Sequence, residues 1–176
     1  MIGVILLGQS NSGKSTLGKV VASRLGIRYI SSGDIARSMD DASVQEDLNS
    51  GKMAPEDKMR SMVLNEINSC DTSYILDGFP RFYEQYEWLN QNIDHDLVYV
   101  SIEVPYEDIL ARAMQRSRRD DEYISKKMEL YEQKTEPMIR DIFADGCNVY
   151  VISNGNDRSI MDGIDTLTKI VEEYLC

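Results

Sequence analysis

Short apolar runs alternate along this chain with longer amphipathic stretches. The apolar runs are residues 2–7, 28–30, 73–77, 97–104 and 147–152. Most are continuous rather than alternating, which is typical of strands buried on both faces of a sheet. Between the runs, apolar residues recur at helical spacing, as in Leu17, Val21 and Leu25. The pattern therefore predicts an α/β fold with a five-stranded parallel sheet and helices on both faces.

The region between the second and third strands is polar and acidic, and it is interrupted by Gly51 and Pro55. We interpret residues 33–58 as a small helical insertion in a single domain spanning 1–176, with Ser32 or Asp34 as the cap of its first helix. From Glu56 onward, methionine and aliphatic residues follow helical spacing, and we interpret this stripe as packing rather than as a ligand site.

Four further helices are predicted from periodicity and proline placement. They run through Trp88 with Pro80 in the first turn, from Pro105 to about Gln115, onward to Phe143 as one long helix, and from Ile160 to Leu175. The only histidine, His95, lies in a polar connection, and we interpret it as a solvated loop residue rather than a catalyst.

Composition limits the partners of the chain. Its 176 residues carry a formal net charge of −11, which opposes non-specific binding to nucleic acid or to acidic membranes. Cys70, Cys147 and Cys176 form no CxxC pair, which excludes a four-cysteine zinc site and favours a reducing compartment. The apolar start is strand-length and lacks a charged leader, and no run has spanning length. We therefore expect a cytoplasmic protein, monomeric by default.

The first apolar run leads into GQSNSGKST, Gly8 to Thr16. Two glycines at this spacing let the backbone bend and approach a phosphate, and Lys14 supplies a positive charge to the outer phosphates. Ser15 can offer its hydroxyl to Mg²⁺. Helix-forming sequence follows, so N–H groups at a helix N-terminus would face the anion. The stretch predicts a nucleoside triphosphate site.

Asp77 ends the third strand, at the same sheet edge as the phosphate loop. A carboxylate there can hold Mg²⁺ directly or through water, or it can cap a helix. Arg81 and Gln85, four residues apart, are predicted to share a helical face and to hold a phosphate and a base edge. Arg37 is a second candidate phosphate ligand.

A cluster of basic residues reverses the acidic character of the chain locally. Arg112, Arg116, Arg118 and Arg119 lie within a few residues of one another and precede Asp120 and Asp121. Bidentate donors of this kind suit the charge-spread transition state of phosphoryl transfer. We predict a short lid at about residues 116–122.

These motifs together resemble the adenylate kinase family of P-loop nucleoside monophosphate kinases, from Ile2 to about Leu175. The resemblance rests on the phosphate loop, SGD with Arg37, the turn from Gly51 to Pro55, DGFPR with Gln85, the arginine pairs with Asp-Asp, and Tyr131 with Thr135 and Pro137. It implies reversible transfer of the γ-phosphoryl group of MgATP to AMP, giving two ADP.

The resemblance also implies roles for individual residues. Those implied to be catalytic are Lys14, Arg81, Arg116, Arg118 and Lys127. ATP would contact Ser10, Asn11, Ser12, Gly13, Lys14, Ser15, Thr16, Arg112, Arg116, Gly155 and Asn156, with Arg112 against the donor adenine. The monophosphate would contact Ser32, Gly33, Arg37, Met53, Ala54, Gly78, Arg81, Gln85, Arg118 and Lys127. Mg²⁺ would enter with ATP, near Ser15 and Asp77.

Three departures from the family pattern leave alternatives open. Ser15 replaces the usual glycine, Lys127 replaces an expected arginine that would bind bidentately, and only two residues separate Arg116 from Arg119. The short insertion, which frames the acceptor base, also allows UMP, CMP or a deoxynucleotide as acceptor. A nucleotide-sensing module with weak transfer is the other alternative.

Overall fold

The computed structural model describes residues 1–116 and 124–175. The strands are β1 (Gly3–Leu7), β2 (Arg28–Ser31), β3 (Tyr74–Asp77), β4 (Leu97–Glu103) and β5 (Val149–Ser153). The helices are α1 (Lys14–Leu25), α2 (Ser32–Ser38), α3 (Ala42–Asn49), α4 (Glu56–Asn68), α5 (Tyr83–Asn92), α6 (Tyr106–Arg116), α7 (Ile124–Leu130), α8 (Glu136–Ala144) and α9 (Ile160–Leu175). A π-helical turn, Tyr131–Thr135, joins α7 to α8.

The predicted sheet is confirmed: five strands, all parallel, in the order β2-β3-β1-β4-β5. In the register of the sheet, Asp77 is the partner of both Leu6 and Ser31. The carboxyl ends of β1, β2 and β3 therefore meet at one edge. Parallel α/β sheets bind ligands at this edge, beside a point where the connections leave on opposite faces.

Helices cover both faces of the sheet and enclose two cores. On one face, α1 and α9 bury Leu17, Val21 and Leu167 against β1 and β4. On the other, α4, α5 and α8 bury residues such as Val63 and Leu89. The helix after β1 and the helix after β3 thus lie on opposite faces, which opens a crevice between the ends of these two strands. Met59, the first methionine of the stripe, is buried in this second core, which agrees with the interpretation of the stripe as packing.

The structure corrects several local predictions. The cap of α2 is Ser31, whose Oγ accepts from the Asp34 N–H at 3.1 Å, so neither Ser32 nor Asp34 has that role. Pro80 does not lie in the first turn of α5, because that helix begins at Tyr83. The long helix predicted to end at Phe143 is divided by the π-helical turn. The strand ends differ from prediction by one or two residues.

His95 is not a solvated residue. Its side chain is only 13% exposed, and Nε2 lies 3.1 Å from the hydroxyl of buried Tyr74, with the two rings edge to face. The connection that carries His95 is polar in sequence, yet it places the imidazole against the end of the core. None of the helices in the described part of the chain is both long and apolar enough to span a membrane.

Candidate active site at the carboxyl edge of the sheet

The loop from Gly8 to Thr16 joins β1 to α1, and its glycines are required by geometry. Gly8 and Gly13 have φ of +137° and +93°. A Cβ would lie 2.5 Å from the Ile102 carbonyl oxygen at Gly8 and 2.5 Å from Asn154 Nδ2 at Gly13. Both backbone conformation and space therefore exclude side chains at these two positions. The close approach at Gly13 also places Asn154 against the loop.

Lys14 begins α1 and turns back over the loop. Its Nζ donates to the carbonyl oxygens of Gly8 (2.8 Å) and Gln9 (2.5 Å) and, at 3.3 Å, to Ser12 Oγ. Burial, which outweighs the opposing charge of Asp77 and is reinforced by nearby Arg81, lowers the pKa of Lys14 to about 8. The ammonium group is thus held where it is costly to keep charged, so an anion arriving at the loop would stabilise the charge.

Two hydroxyl groups converge on one carboxylate oxygen at the end of β3. Ser15 Oγ lies 2.5 Å and Tyr29 Oη 2.6 Å from Asp77 Oδ2. Burial, and then the Asp77 charge, raise the pKa of Tyr29, so the phenol remains protonated and donates to the carboxylate. Asp77 is 4% exposed and does not cap a helix, which removes the alternative role predicted for it.

The chemistry of this group fits Mg²⁺. A serine hydroxyl and a carboxylate, both oxygen donors at the edge of a phosphate loop, match the preference of this hard cation. The described residues contain no group of three or more His, Cys, Asp or Glu that could hold a metal. Such a site would therefore require oxygens supplied by a bound nucleotide and water.

Arg81 lies in the turn between β3 and α5, before the helix rather than on it as predicted. Its Nε donates to the Gly78 carbonyl at 2.9 Å, and its own N–H donates to Gln85 Oε1 at 2.8 Å. Protein atoms surround the guanidinium and lower its pKa, although the residue is accessible from the cleft. Arg81 and Gln85 are thus brought together by a direct hydrogen bond, not by a shared helical face.

A central cleft of about 450 Å³ opens at this edge, lined by residues from the phosphate loop, α2, the turn after α3, the turn after β3, and α7. It contains these predicted monophosphate-binding residues: Ser32, Gly33, Arg37, Met53, Ala54, Gly78, Arg81, Gln85 and Lys127. Lys14, Ser15, Asp77, Ser10 and Asn11 also line it. The cleft brings together the phosphate loop and nearly all of the predicted acceptor residues.

The walls of the cleft carry two further cations. Arg37 Nη2 donates to Asp34 Oδ1 at 2.6 Å, and this bond, more than any other contact, lowers the pKa of Asp34. The side chain of Arg37 is 50% exposed, so its other donors can reach a ligand. Lys127, on α7, also lines the cleft, as do Tyr131 and Thr135 on the π-helical turn. Tyr131 and Thr135 are two of the residues on which the family resemblance rests, and both line the cleft.

A second cavity of about 380 Å³, the donor-side cavity, lies on the other side of the phosphate loop. Its lining residues are Asn11, Gly13, Lys14, Ser15, Thr16, Arg112, Asn154 and Ile160. Ser12, which belongs to the loop itself, is fully buried. Most of the predicted ATP-binding residues of the loop therefore face this cavity, the central cleft, or both.

Arg112 joins the phosphate loop to the segment after β5. It donates through Nη2 to the Asn154 carbonyl (2.6 Å), through Nε to Asn156 Oδ1 (2.9 Å) and through Nη1 to the Ser12 carbonyl (3.3 Å). Asp108 accepts from the backbone and side-chain nitrogens of Asn156 at 2.6 and 2.9 Å. A Cβ at Gly155 would lie 2.6 Å from Asp157 Oδ1 and 3.2 Å from Asp108 Oδ2, so the backbone is packed closely here. Contact of Arg112 with a donor base stays a prediction.

Sequence reasoning missed Asn154, Asp108 and Tyr29. Asn154 is 3% exposed and donates through Nδ2 to the Ser12 carbonyl at 2.8 Å. An asparagine after a strand has no motif of its own. For Tyr29, the available signal was a tyrosine on the strand that neighbours the one ending in Asp77. The predictions for Arg118, Arg119, Asp120 and Asp121 lie outside the described residues, as does the side chain of Arg116.

Comparison with known proteins agrees with this arrangement. A protein-family model described as adenylate kinase matches residues 6–145. The adenylate kinase of Nocardia farcinica is 30% identical over 153 residues, covering 77% of this chain and 83% of that protein. Adenylate kinase 1 of a Nostoc species is 30% identical over 173 residues, covering 90% and 93%. The adenylate kinase of Trichodesmium erythraeum is 27% identical and covers 98% and 97%. This chain belongs to the adenylate kinase family.

Proposed function

We propose that the protein transfers the γ-phosphoryl group of MgATP reversibly to AMP, giving two ADP. The observation that carries the proposal is the convergence of four cationic residues, Lys14, Arg37, Arg81 and Lys127, on one cleft beside Gln85. In a chain of net charge −11, such a cleft is suited to a polyanion. Family membership supports a nucleoside monophosphate kinase, and the choice of AMP rests on the arguments that follow.

Positioned cations are the main requirement of this chemistry. Phosphoryl transfer spreads negative charge over the equatorial oxygens, and catalysis depends on placing donors around them. Arg81, anchored to Gly78, would present its remaining guanidinium donors to that charge. Lys14 would move from its carbonyl partners to the phosphates. Mg²⁺ held near Ser15 and Asp77 would neutralise charge on the nucleotide.

The orientation of the Gln85 amide supports a choice among bases. Because Oε1 accepts from the Arg81 N–H, this atom is the oxygen, and Nε2, which donates to none of the described residues, is the donor available to a ligand. Adenine and cytosine present an amino donor beside a ring acceptor, whereas guanine, uracil and thymine present the reverse order. With Nε2 donating to the base and the second lone pair of Oε1 accepting from it, an amide held in one orientation can separate these two groups of bases, and the resemblance favours adenine.

The test is transfer from MgATP to AMP, dAMP, CMP, UMP, dTMP and GMP offered separately, with each diphosphate measured by chromatography. AMP is expected to exceed UMP, dTMP and GMP by more than tenfold in kcat/KM. CMP is the second candidate acceptor, since cytosine shares the order of donor and acceptor with adenine. Preference for UMP or GMP would refute the base assignment. ATP binding without transfer to any acceptor would favour a sensing module.

A further inference from the structure

Thr135 donates a partly buried hydrogen bond to the backbone of the residue that we place at the transferring phosphate. Its Oγ1 donates to the Arg81 carbonyl at 2.7 Å, and the side chain is 7% exposed. Because 54 positions separate the two residues in sequence, the bond links the helical wall of the cleft to its floor. Thr135 also lines the cleft itself.

The π-helical turn brings Thr135 to this position. The Glu136 N–H donates to the Tyr131 carbonyl, five residues back, and Pro137, which has no N–H to donate, follows at the start of α8. An uninterrupted α-helix would rotate the residues after Tyr131 relative to the cleft. With the wider turn, Lys127, Tyr131 and Thr135 all line one wall.

Arg81 is consequently held on both sides of its backbone. Gln85 Oε1 accepts from its N–H, Thr135 Oγ1 donates to its C=O, and its Nε is anchored to the Gly78 carbonyl. None of these three bonds uses the terminal guanidinium nitrogens of Arg81, which lines the cleft. Two of the three bonds are made by side chains of other residues, Gln85 and Thr135. Of these two, only Gln85 has a second proposed function, in base recognition.

We infer that Thr135 is a positioning residue for phosphoryl transfer: through its bond to the Arg81 carbonyl it fixes the Arg81 guanidinium and couples that residue to the wall bearing Lys127. This inference rests on the proposed function, since it assigns Arg81 to the transferring group. A misplacement of such a group by a fraction of an ångström is costly, because catalysis here depends on position. Thr135 itself need not touch the substrate.

The test compares Thr135→Val, which keeps the shape of the side chain and removes the hydroxyl, with Thr135→Ser, which keeps the hydroxyl. In Thr135→Val, kcat/KM for AMP is expected to fall about tenfold, from the loss of one hydrogen bond and the resulting freedom of Arg81. The KM for ATP is expected to stay unchanged. Thr135→Ser is expected to recover most of the loss. Thermal unfolding of both variants checks that each is folded, and hydrogen exchange of residues 78–85 is expected to quicken only in Thr135→Val.

Three results decide the inference. Loss in Thr135→Val with recovery in Thr135→Ser supports it. Transfer in Thr135→Val equal to that of the wild-type protein, or an equal loss in both variants, overturns it. If the wild-type protein transfers to no monophosphate, the proposed function fails, and calorimetric binding of AMP replaces the rate: weaker binding in Thr135→Val alone supports the role of Thr135, and equal binding refutes it.

Discussion

The hydroxyl oxygen of Ser15 lies 2.5 Å from Oδ2 of Asp77, and the phenol of Tyr29 reaches the same oxygen from the neighbouring strand. The start of α1 and the end of β3 are therefore joined through one carboxylate. Both donors use Oδ2, so Oδ1 is the carboxylate oxygen left to accept from water or to face a cation. We propose that the Mg²⁺ of MgATP binds beside this group, and the substitutions below test that proposal.

Ser15→Ala is expected to raise the Mg²⁺ concentration that half-saturates transfer by about five- to tenfold, the effect of losing one polar contact. Tyr29→Phe is expected to produce a smaller rise, because it frees Asp77 without removing an oxygen that faces the metal. Calorimetry of ATP binding, with Mg²⁺ and with EDTA in place of Mg²⁺, provides a second readout. In EDTA, both variants should bind ATP with the affinity of the wild-type protein. Equal metal dependence in all three proteins would show that Ser15 and Tyr29 have no part in holding the cation.

The lowered pKa of Lys14 predicts a particular dependence on pH. The group is charged below about pH 8 and loses its proton above it, mainly because burial disfavours the ammonium form. In the free enzyme, kcat/KM for ATP is therefore expected to fall about tenfold per pH unit above that value. A bound triphosphate favours the charged form, so kcat should persist to higher pH.

Lys14→Arg is the control for this profile, since arginine stays charged throughout the range. Its activity should be lower, but the fall in kcat/KM that begins near pH 8 should be absent. An identical profile in Lys14→Arg would assign the titration to another group.

We propose two separable functions for Gln85, holding the Arg81 N–H and recognising the base, and two substitutions distinguish them. Gln85→Glu keeps an acceptor for the Arg81 N–H and loses the Nε2 donor, whereas Gln85→Met loses both. Both are expected to lower the ratio of kcat/KM for AMP to that for UMP by about tenfold or more, because a hydrogen bond to the base is lost. Both acceptors carry the same phosphate charge, so the ratio cancels any repulsion from the new carboxylate.

Only Gln85→Met should also lower kcat with every acceptor, since it alone leaves the Arg81 N–H without its partner. An unchanged AMP/UMP ratio in both variants would remove Gln85 from base recognition. A fall of kcat in Gln85→Glu equal to that in Gln85→Met would instead remove the special role of the Arg81 bond.

Lys127 lines the central cleft, and the resemblance implies an arginine at this position. Lys127→Arg is expected to raise kcat by about tenfold, because a guanidinium can contact two phosphoryl oxygens where an ammonium acts as a single point charge. Lys134→Arg, the same change at an exposed position on the π-helical turn, should leave transfer unchanged. No gain in Lys127→Arg would mean that this side chain does not reach the phosphoryl group.

The sheet, and the meeting of the phosphate loop with Asp77 and Arg81, follow from sequence because parallel strands place their carboxyl ends together. The partners of these residues do not follow. The four-residue spacing predicts that Gln85 and Arg81 share a helical face, yet the helix begins at Tyr83 and the contact is from side chain to backbone. Thr135 belongs to a segment whose apolar period predicts one continuous helix, and only Pro137 signals the wider turn. Asn154 acts through a carbonyl of a distant loop, which side-chain patterns cannot indicate.

Asn154 is where this dependence on tertiary context is best tested. Its Nδ2 donates to the Ser12 carbonyl, and its own carbonyl accepts from Arg112, so one buried residue ties β5 to the phosphate loop. In Asn154→Asp the side chain keeps its size, but an oxygen replaces the nitrogen that faces Ser12, and a charge enters a site that is 3% exposed. The expected cost in unfolding free energy is about 1–3 kcal/mol, from an unpaired carbonyl and a poorly solvated carboxylate.

The KM for ATP should rise several-fold, while the KM for AMP changes little, because the loop residues that Asn154 supports face the donor-side cavity. Asn156→Asp is the comparison: Asn156 is exposed, and the new carboxylate keeps the bond from Arg112 to Oδ1 but loses the Nδ2 bond to Asp108 and lies beside that carboxylate. Equal effects of the two substitutions on the KM for ATP would show that the bond from Asn154 to the Ser12 carbonyl has no special part in supporting the loop.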